Sequence, residues 1–152
     1  MAQTSAATGG QGMTYPVKPI VTISLIENGQ VLYVNLKDGP DSESGLFLPN
    51  DILKQGEDPY EGARRVAKEQ AGADVKNPIL LDVDSFEGND GTWHLALHFR
   101  ADVPNRRALA AGEPVNEMRW SGAGALPPDS QVAHRGWYNS IAKRALQHQK
   151  AQ

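Results

Sequence analysis

No cysteine occurs among the 152 residues, which removes disulfides, thiolate zinc sites and cysteine nucleophiles from consideration. Long hydrophobic runs are missing too. The longest, around Ile20–Ile26, falls far below the ~20 residues that a bilayer-spanning helix needs. Aromatic residues make up only 7% of the chain, and neither sign of charge dominates: 15 basic against 18 acidic residues leave a net charge of −3. That balance provides no basic face for a dedicated nucleic-acid clamp. The opening MAQTSAATGGQG has neither a basic segment nor an apolar core, so it does not read as a signal peptide. A cytoplasmic protein of a reducing compartment, with no membrane association, is the expectation. What is present suffices for one domain, since a chain near this length buries roughly 70% of its unfolded surface.

Two zones are expected: a disordered leader over 1–15, built of Ala, Gly, Ser, Thr and Gln without apolar periodicity, and a folded domain over 16–148. The segments 17–27 and 31–37 are rich in Val, Ile, Leu and Tyr and flank Asn28-Gly29, the strongest short hairpin signal. A short apolar stretch over 45–48 stops at Pro49. Strands are expected again over 79–86 and 93–103, joined by the turn-rich Gly88-Asn89-Asp90-Gly91, and over 115–120. In 93–103, Trp93, Leu95, Leu97 and Phe99 alternate with His94, Ala96, His98 and Arg100, giving an apolar and a polar face. A helix is expected over 129–149, burying Val132, Trp137, Ile141 and Leu146 and leaving His134, Arg135, Lys143 and Arg144 in solvent. Trp137 and Tyr138 leave room for a homo-oligomer interface on that helix.

The best-marked helix lies between. In DPYEGARRVAKEQA, Ala63, Val66, Ala67 and Gln70 recur at i, i+3, i+4 and i+7. Asp58 is placed to cap it, Pro59 suits its first position and Gly72 its end.

The stretch from Leu48 to Val75 resembles a Nudix box, whose pattern is Gly, five residues, Glu, seven residues, then Arg-Glu-apolar-x-Glu-Glu-x-Gly-apolar. On this chain Gly56-Glu57-Asp58-Pro59, Ala63-Arg64-Arg65, Glu69 and Gly72 match. The resemblance implies a Nudix-like α/β/α sandwich with a mixed β-sheet. It also implies a hydrolase cleaving a nucleoside diphosphate linked to another moiety, with Mg²⁺ or Mn²⁺ held by helix carboxylates. The box is degenerate, however. Asp51 replaces its opening Gly and Asn50 the neighbouring one, Val66 replaces the first of three helix glutamates and Gln70 the last. Glu69 alone survives of the three. Spacing puts 66, 69 and 70 on one helix face, where three carboxylates would surround a hard cation. Val66→Glu with Gln70→Glu should therefore rebuild the set.

Glu69 is the expected catalytic residue, and Asp51, Glu57 and Glu69 are the candidate metal ligands, holding the ion weakly if at all. Gly56, Arg65 and Gly72 are expected to be structural. Glu57 is either the ion-pair partner of Arg65 or a ligand. Asp51 is either a substitute ligand or, with Asn50, a residue that tolerates left-handed backbone. Glu61, Glu113 and Glu117 are further carboxylates for a rebuilt site. His94 and His98, roughly 13 Å apart along a strand, cannot share one metal and are expected either to line a polar face or substrate groove or to stand exposed to solvent. Arg106-Arg107 reads as a solvated loop. Two functions follow: a protein that binds a nucleotide-like small molecule or a partner with weak or no hydrolysis, or an active Nudix-type pyrophosphohydrolase.

Overall fold

Val17–Glu27 (β1) and Gln30–Leu36 (β2) form the expected hairpin in the computed structural model, which describes residues 16–148. The leader expected over 1–15 lies outside the described residues. Asn28 and Gly29 both take positive φ, 51° and 71°, as a two-residue turn matched to strand twist requires.

β1 is the organising strand. It pairs antiparallel with β2 and with Asn50–Ile52 (β4), and parallel with Trp93–Asp102 (β6) from Val17↔Trp93 to Ile26↔Asp102. β6 pairs antiparallel with Ile79–Glu87 (β5), which forms one edge of the path. β2 carries Leu46–Phe47 (β3) on one part and Val115–Gly122 (β7) along most of its length. The sheet is mixed, as expected. β4 is a strand that the sequence reading did not include: beyond Pro49 the chain pairs again with β1, and Ile23 N–H donates to the Pro49 carbonyl at 2.9 Å.

The helices are Pro59–Ala71 (α1) and Ala133–Gln147 (α2). Tyr60 of α1 meets Phe99, with ring centroids 5.0 Å apart, while Trp137 of α2 meets His98 at 5.4 Å. Phe99 and His98 are neighbours on β6 and point to opposite faces, so the two helices lie on opposite sides of the sheet. This is the expected α/β/α sandwich. Its core is built by Val21, Ile23, Leu25, Leu32, Phe47 and Phe99, all fully buried.

α1 follows its sequence signals closely. The Asp58 side chain accepts from Tyr60 N–H at 2.7 Å, Pro59 opens the helix, and Gly72 ends it at φ 67°. α2 departs from them. Residues 129–131 form a separate 3₁₀ turn, and the first turn of α2 is left-handed: His134, Arg135 and Gly136 take φ 55°, 56° and 85°. The inward face carries Tyr138, Ile141, Ala142 and Ala145, with Trp137 packed on Phe86 and His98. Arg144, expected in solvent, bonds to Asp82 and to Asp84 of β5. Nor is the His94–Arg100 face of β6 solvated. His94, Ala96, His98 and Arg100 are all buried beneath α2, whereas Trp93 on the apolar-reading face is 45% exposed. Among the described residues no helix is long and apolar enough to cross a membrane.

Candidate functional site

Arg65 sits at the centre of the box segment. Its Nε donates to Glu57 Oε2 at 2.8 Å and Nη2 to Glu57 Oε1 at 3.0 Å, a two-pronged pair with both side chains only 14% exposed. Nη1 donates to Asp51 Oδ2 at 2.9 Å and to Glu69 Oε1 at 3.1 Å, and Nη2 also reaches the Ile52 carbonyl. The candidate ligands Asp51, Glu57 and Glu69 are therefore brought together, and a guanidinium lies among them. Hydrogen bonding from Arg65 is the main cause that holds the Glu57 carboxyl down to about 2, and the same pairing raises Arg65 further above its usual range. The structural alternative for Glu57 matches this geometry. Gly56 and Gly72 take the left-handed backbone their places demand, at φ 78° and 67°.

Asn50 and Asp51 correct an expectation. Neither has positive φ; both lie in β4, paired with Thr22 and Val21. Asp51 projects its carboxylate to Arg65 and accepts from Ile52 N–H at 2.8 Å.

The side chains at 66, 69 and 70 do not converge. Val66 is fully buried in the core, while Glu69 turns outward to Arg65. Gln70, 6% exposed, donates from Nε2 to the Asn50 carbonyl at 2.7 Å and accepts from Asn50 N–H at 3.2 Å. A glutamine amide mimics a neighbouring strand here, and a carboxylate has no donor for that carbonyl. Gln70→Glu would leave a buried acceptor unpaired and Val66→Glu would place a charge in the core, so the pair of changes would not simply rebuild a metal site.

The donor set does not fit a divalent ion. Both oxygens of Glu57 and of Asp51 are engaged, and of the Glu69 carboxylate only Oε2 is unpartnered among the described residues. A hard cation takes at least ~6 oxygens, several of them anionic. No group of three or more His, Asp or Glu among the described residues is arranged to hold a metal.

Beside this cluster opens a cavity of about 330 Å³ between the box and the start of α2. Asn50, Asp51, Glu69 and Gln70 line one end, and Phe86, His94, His134 and Tyr138 the other. Glu113 stands on the rim because the preceding loop closes over the end of α1: Ala110 N–H donates to Ala71 O and Gly112 N–H to Gln70 O, both at 3.0 Å, satisfying carbonyls that a helix end leaves free. Glu61 and Glu117 do not line the cavity; Glu61 pairs with Arg64 instead. Of the two histidines, His94 lines the cavity. His98 does not: its Nδ1 lies 2.8 Å from Thr22 Oγ1 and its Nε2 3.0 Å from Asp84 Oδ2, and burial pushes its pKa down. Arg106, expected in solvent, lies over the Trp120 ring and bonds to Gln30.

The far wall of the cavity is held in strained backbone. Asp41, Ser42, His134 and Arg135 are four of the five non-glycine residues with positive φ among those described. Glu43 ties them: its Oε1 accepts from His134 N–H at 2.7 Å and its Oε2 from Asn89 Nδ2 at 2.7 Å, bonds that lower its pKa. Asp41 accepts from Asn89 N–H at 3.0 Å, joining the third loop. Sequence reasoning missed Asp41, Phe86, His134 and Tyr138 as site residues, because they come from three separate segments, the turn at Asp41, β5 and α2, that no common spacing links. Lone positive-φ residues leave no mark in the sequence when they are neither Gly nor Asn.

No family model matches the chain, and no curated protein does. Solved structures do. A NUDIX hydrolase from Nitrosomonas europaea aligns at TM-score 0.72 with 24% identity, over 89% of this chain and 72% of that one. A MutT NUDIX hydrolase from Burkholderia pseudomallei aligns at 0.68 with 17% identity, over 84% and 97%. The MutT protein from Methanosarcina mazei Go1 aligns at 0.66 with 17% identity, over 86% and 96%. The likeness is one of architecture, and it covers nearly all the described residues.

Proposed function

We propose that this chain, which has the Nudix fold, is a small-molecule binding protein whose degenerate box supports weak hydrolysis or none. The observation that carries the reading is the Arg65 guanidinium bonded to Glu57, Asp51 and Glu69 at once. A divalent cation in a pyrophosphatase site neutralises the leaving phosphate and templates the attacking water. Here the positive charge belongs to the protein, is already shared among three carboxylates, and offers no open coordination position. Val66 and Gln70 are committed to the core and to β4. The cavity remains, and Glu69 and Asp51 line it as acceptors rather than as an ion cage. A nucleoside diphosphate-linked ligand, expected from the resemblance, would have to bring its phosphates to this end without a metal to receive them.

The test is calorimetric titration with Mg²⁺ and Mn²⁺, followed by phosphate-release assays on a panel of nucleoside diphosphate derivatives with and without metal. Expected are no micromolar metal binding and no metal-dependent turnover. Turnover of any member of the panel at rates well above background, dependent on Mg²⁺ or Mn²⁺, would return the chain to the hydrolases.

A further inference from the structure

The geometry points to the His94–Tyr138 end of the cavity as a binding site for a planar aromatic group that carries N–H donors on its edge and is cationic or neutral, not anionic. This rests on the binding-protein reading and names the chemistry of its ligand.

Two buried side chains, Tyr138 and His94, line the cavity, each with a polar atom for which no hydrogen bond is found among the described residues. Tyr138 is 3% exposed and lines the cavity, and its hydroxyl makes no hydrogen bond among the described residues, although its ring is fixed edge-on against Phe47 at 5.5 Å. A phenol that deep normally finds a partner. Burial, then the negative charges of Asp41 and Glu43, push its pKa up, so the hydroxyl stays a donor. His94 is 2% exposed. Its Nδ1 lies 2.8 Å from the Thr92 carbonyl, which has no proton to give, so the bond requires Nδ1–H. In the neutral ring that leaves Nε2 as an acceptor, and no described residue donates to it.

Shape follows from the rings. Phe86 stacks on His94, with centroids 4.7 Å apart and planes at 17°, so two parallel rings form this end of the cavity. His134 stands edge-on to Phe86 at 5.6 Å and closes the end. A planar ligand that enters edge-on to this stack can direct N–H groups at His94 Nε2.

Charge follows from the carboxylates. Asp38, Asp41, Asp51, Glu69 and Glu113 line the cavity. The two lysines that line it are taken: Lys18 pairs with Asp90 at 3.2 Å and Lys37 with Glu113 at 3.6 Å. Arg65 is saturated by three carboxylates. Asp51 and Glu69 share Arg65 and Glu113 pairs with Lys37, so Asp38 and Asp41 carry the lining charge that no lysine or arginine offsets; an anionic ligand entering here would be repelled by them, while a cation would gain from them.

The experiment uses three planar probes of nearly one shape: benzamidine, a cation with N–H donors; benzamide, neutral with N–H donors; and benzoate, an anion without them. Binding is followed by calorimetry and by the NMR shifts of the His94 ring on the full chain. Benzamidine is expected to bind at least tenfold tighter than benzoate, with benzamide between, and to move the His94 resonances. Tyr138→Phe, which keeps the ring and its packing, should weaken benzamide at least threefold with an unchanged melting temperature. Benzoate binding as tightly as benzamidine, benzamidine failing to shift His94 at millimolar concentration, or Tyr138→Phe binding benzamide as well as the natural chain would each overturn the assignment. Metal-dependent hydrolysis of the nucleotide panel would sink the binding-protein reading instead, whatever the probes do.

Discussion

One arginine decides how the box behaves. Arg65 and Glu57 are mostly shielded from water, so removing the guanidinium strands a carboxylate that the fold otherwise holds ionised. Arg65→Ala should cost about 1–3 kcal/mol near neutral pH, between the values for exposed and for buried pairs. The acid limb gives a sharper readout. Because the Glu57 pKa is lowered from 4.5 to about 2, its contribution is present above pH 4.5 and is lost as pH falls towards 2. Urea unfolding from pH 5 to 2 should show this loss in the natural chain and a flatter limb in Arg65→Ala; equal slopes would refute the pairing. The Arg65–Glu57 pair was legible in the sequence, since a loop glutamate and a helix arginine at that spacing face each other. The joining of Asp51 to it was not, because β4 is only three residues long and its signal is hidden behind Pro49.

At the level of elements, the segment that closes over α1 positions the rim of the cavity. It does so by close backbone approach: a Cβ on Gly112 would stand 1.7 Å from the Glu69 carbonyl oxygen and 3.3 Å from the Gln70 Cα, neither of which can yield. Gly112→Ala should therefore lower the melting temperature by several degrees, through the loss of ~2 kcal/mol or more. Gly124→Ala, where nothing lies within 4 Å, should leave it within about a degree. Thermal unfolding of the two variants side by side tests whether the loop is seated as described. α1 could be read because cap, periodicity and terminal glycine all agree. α2 could be read only in its second half. Its left-handed opening depends on Glu43, far away in the chain, accepting from His134 N–H, and on Gly136, whose Cβ would strike Asp129 at 2.4 Å. Periodicity carries no record of such distant partners.

For the whole molecule, the polar residues between sheet and α2 set how stability responds to mild acid. His98 is fully buried and its pKa lies below its ordinary value, because burial outweighs the attraction of Asp84. The unfolded chain takes up a proton below pH ~6.5 that the folded chain refuses, so stability falls as pH drops from there, by at most ~1.4 kcal/mol per pH unit. His98→Gln should flatten the slope between pH 6.5 and 5 in denaturant titrations, leaving the Glu57 limb at lower pH in place; an unaltered slope would show that His98 is not responsible. The face that carries His98 reads as solvent-facing because its residues are polar, and only the hydrogen bonds to Thr22 and Asp84, from other strands, make its burial tolerable.

The parallel ladder between β1 and β6 also sets an order of events in time. Thr22 and His98 are 76 positions apart, whereas the hairpin of β1 with β2 and that of β5 with β6 join segments a few residues apart. Local hairpins close in roughly microseconds, but a ladder between distant segments must first overcome the entropy of a long loop, and contacts of that kind govern folding rate. The cavity needs residues from both sides of the ladder, Asn50 and Asp51 beside β1 and Phe86 and His94 on β5 and β6. In a refolding chain, ligand capture should therefore lag behind the appearance of hairpin signal, and a newly made chain gains its binding site only once the long-range pairing of β1 with β6 has formed.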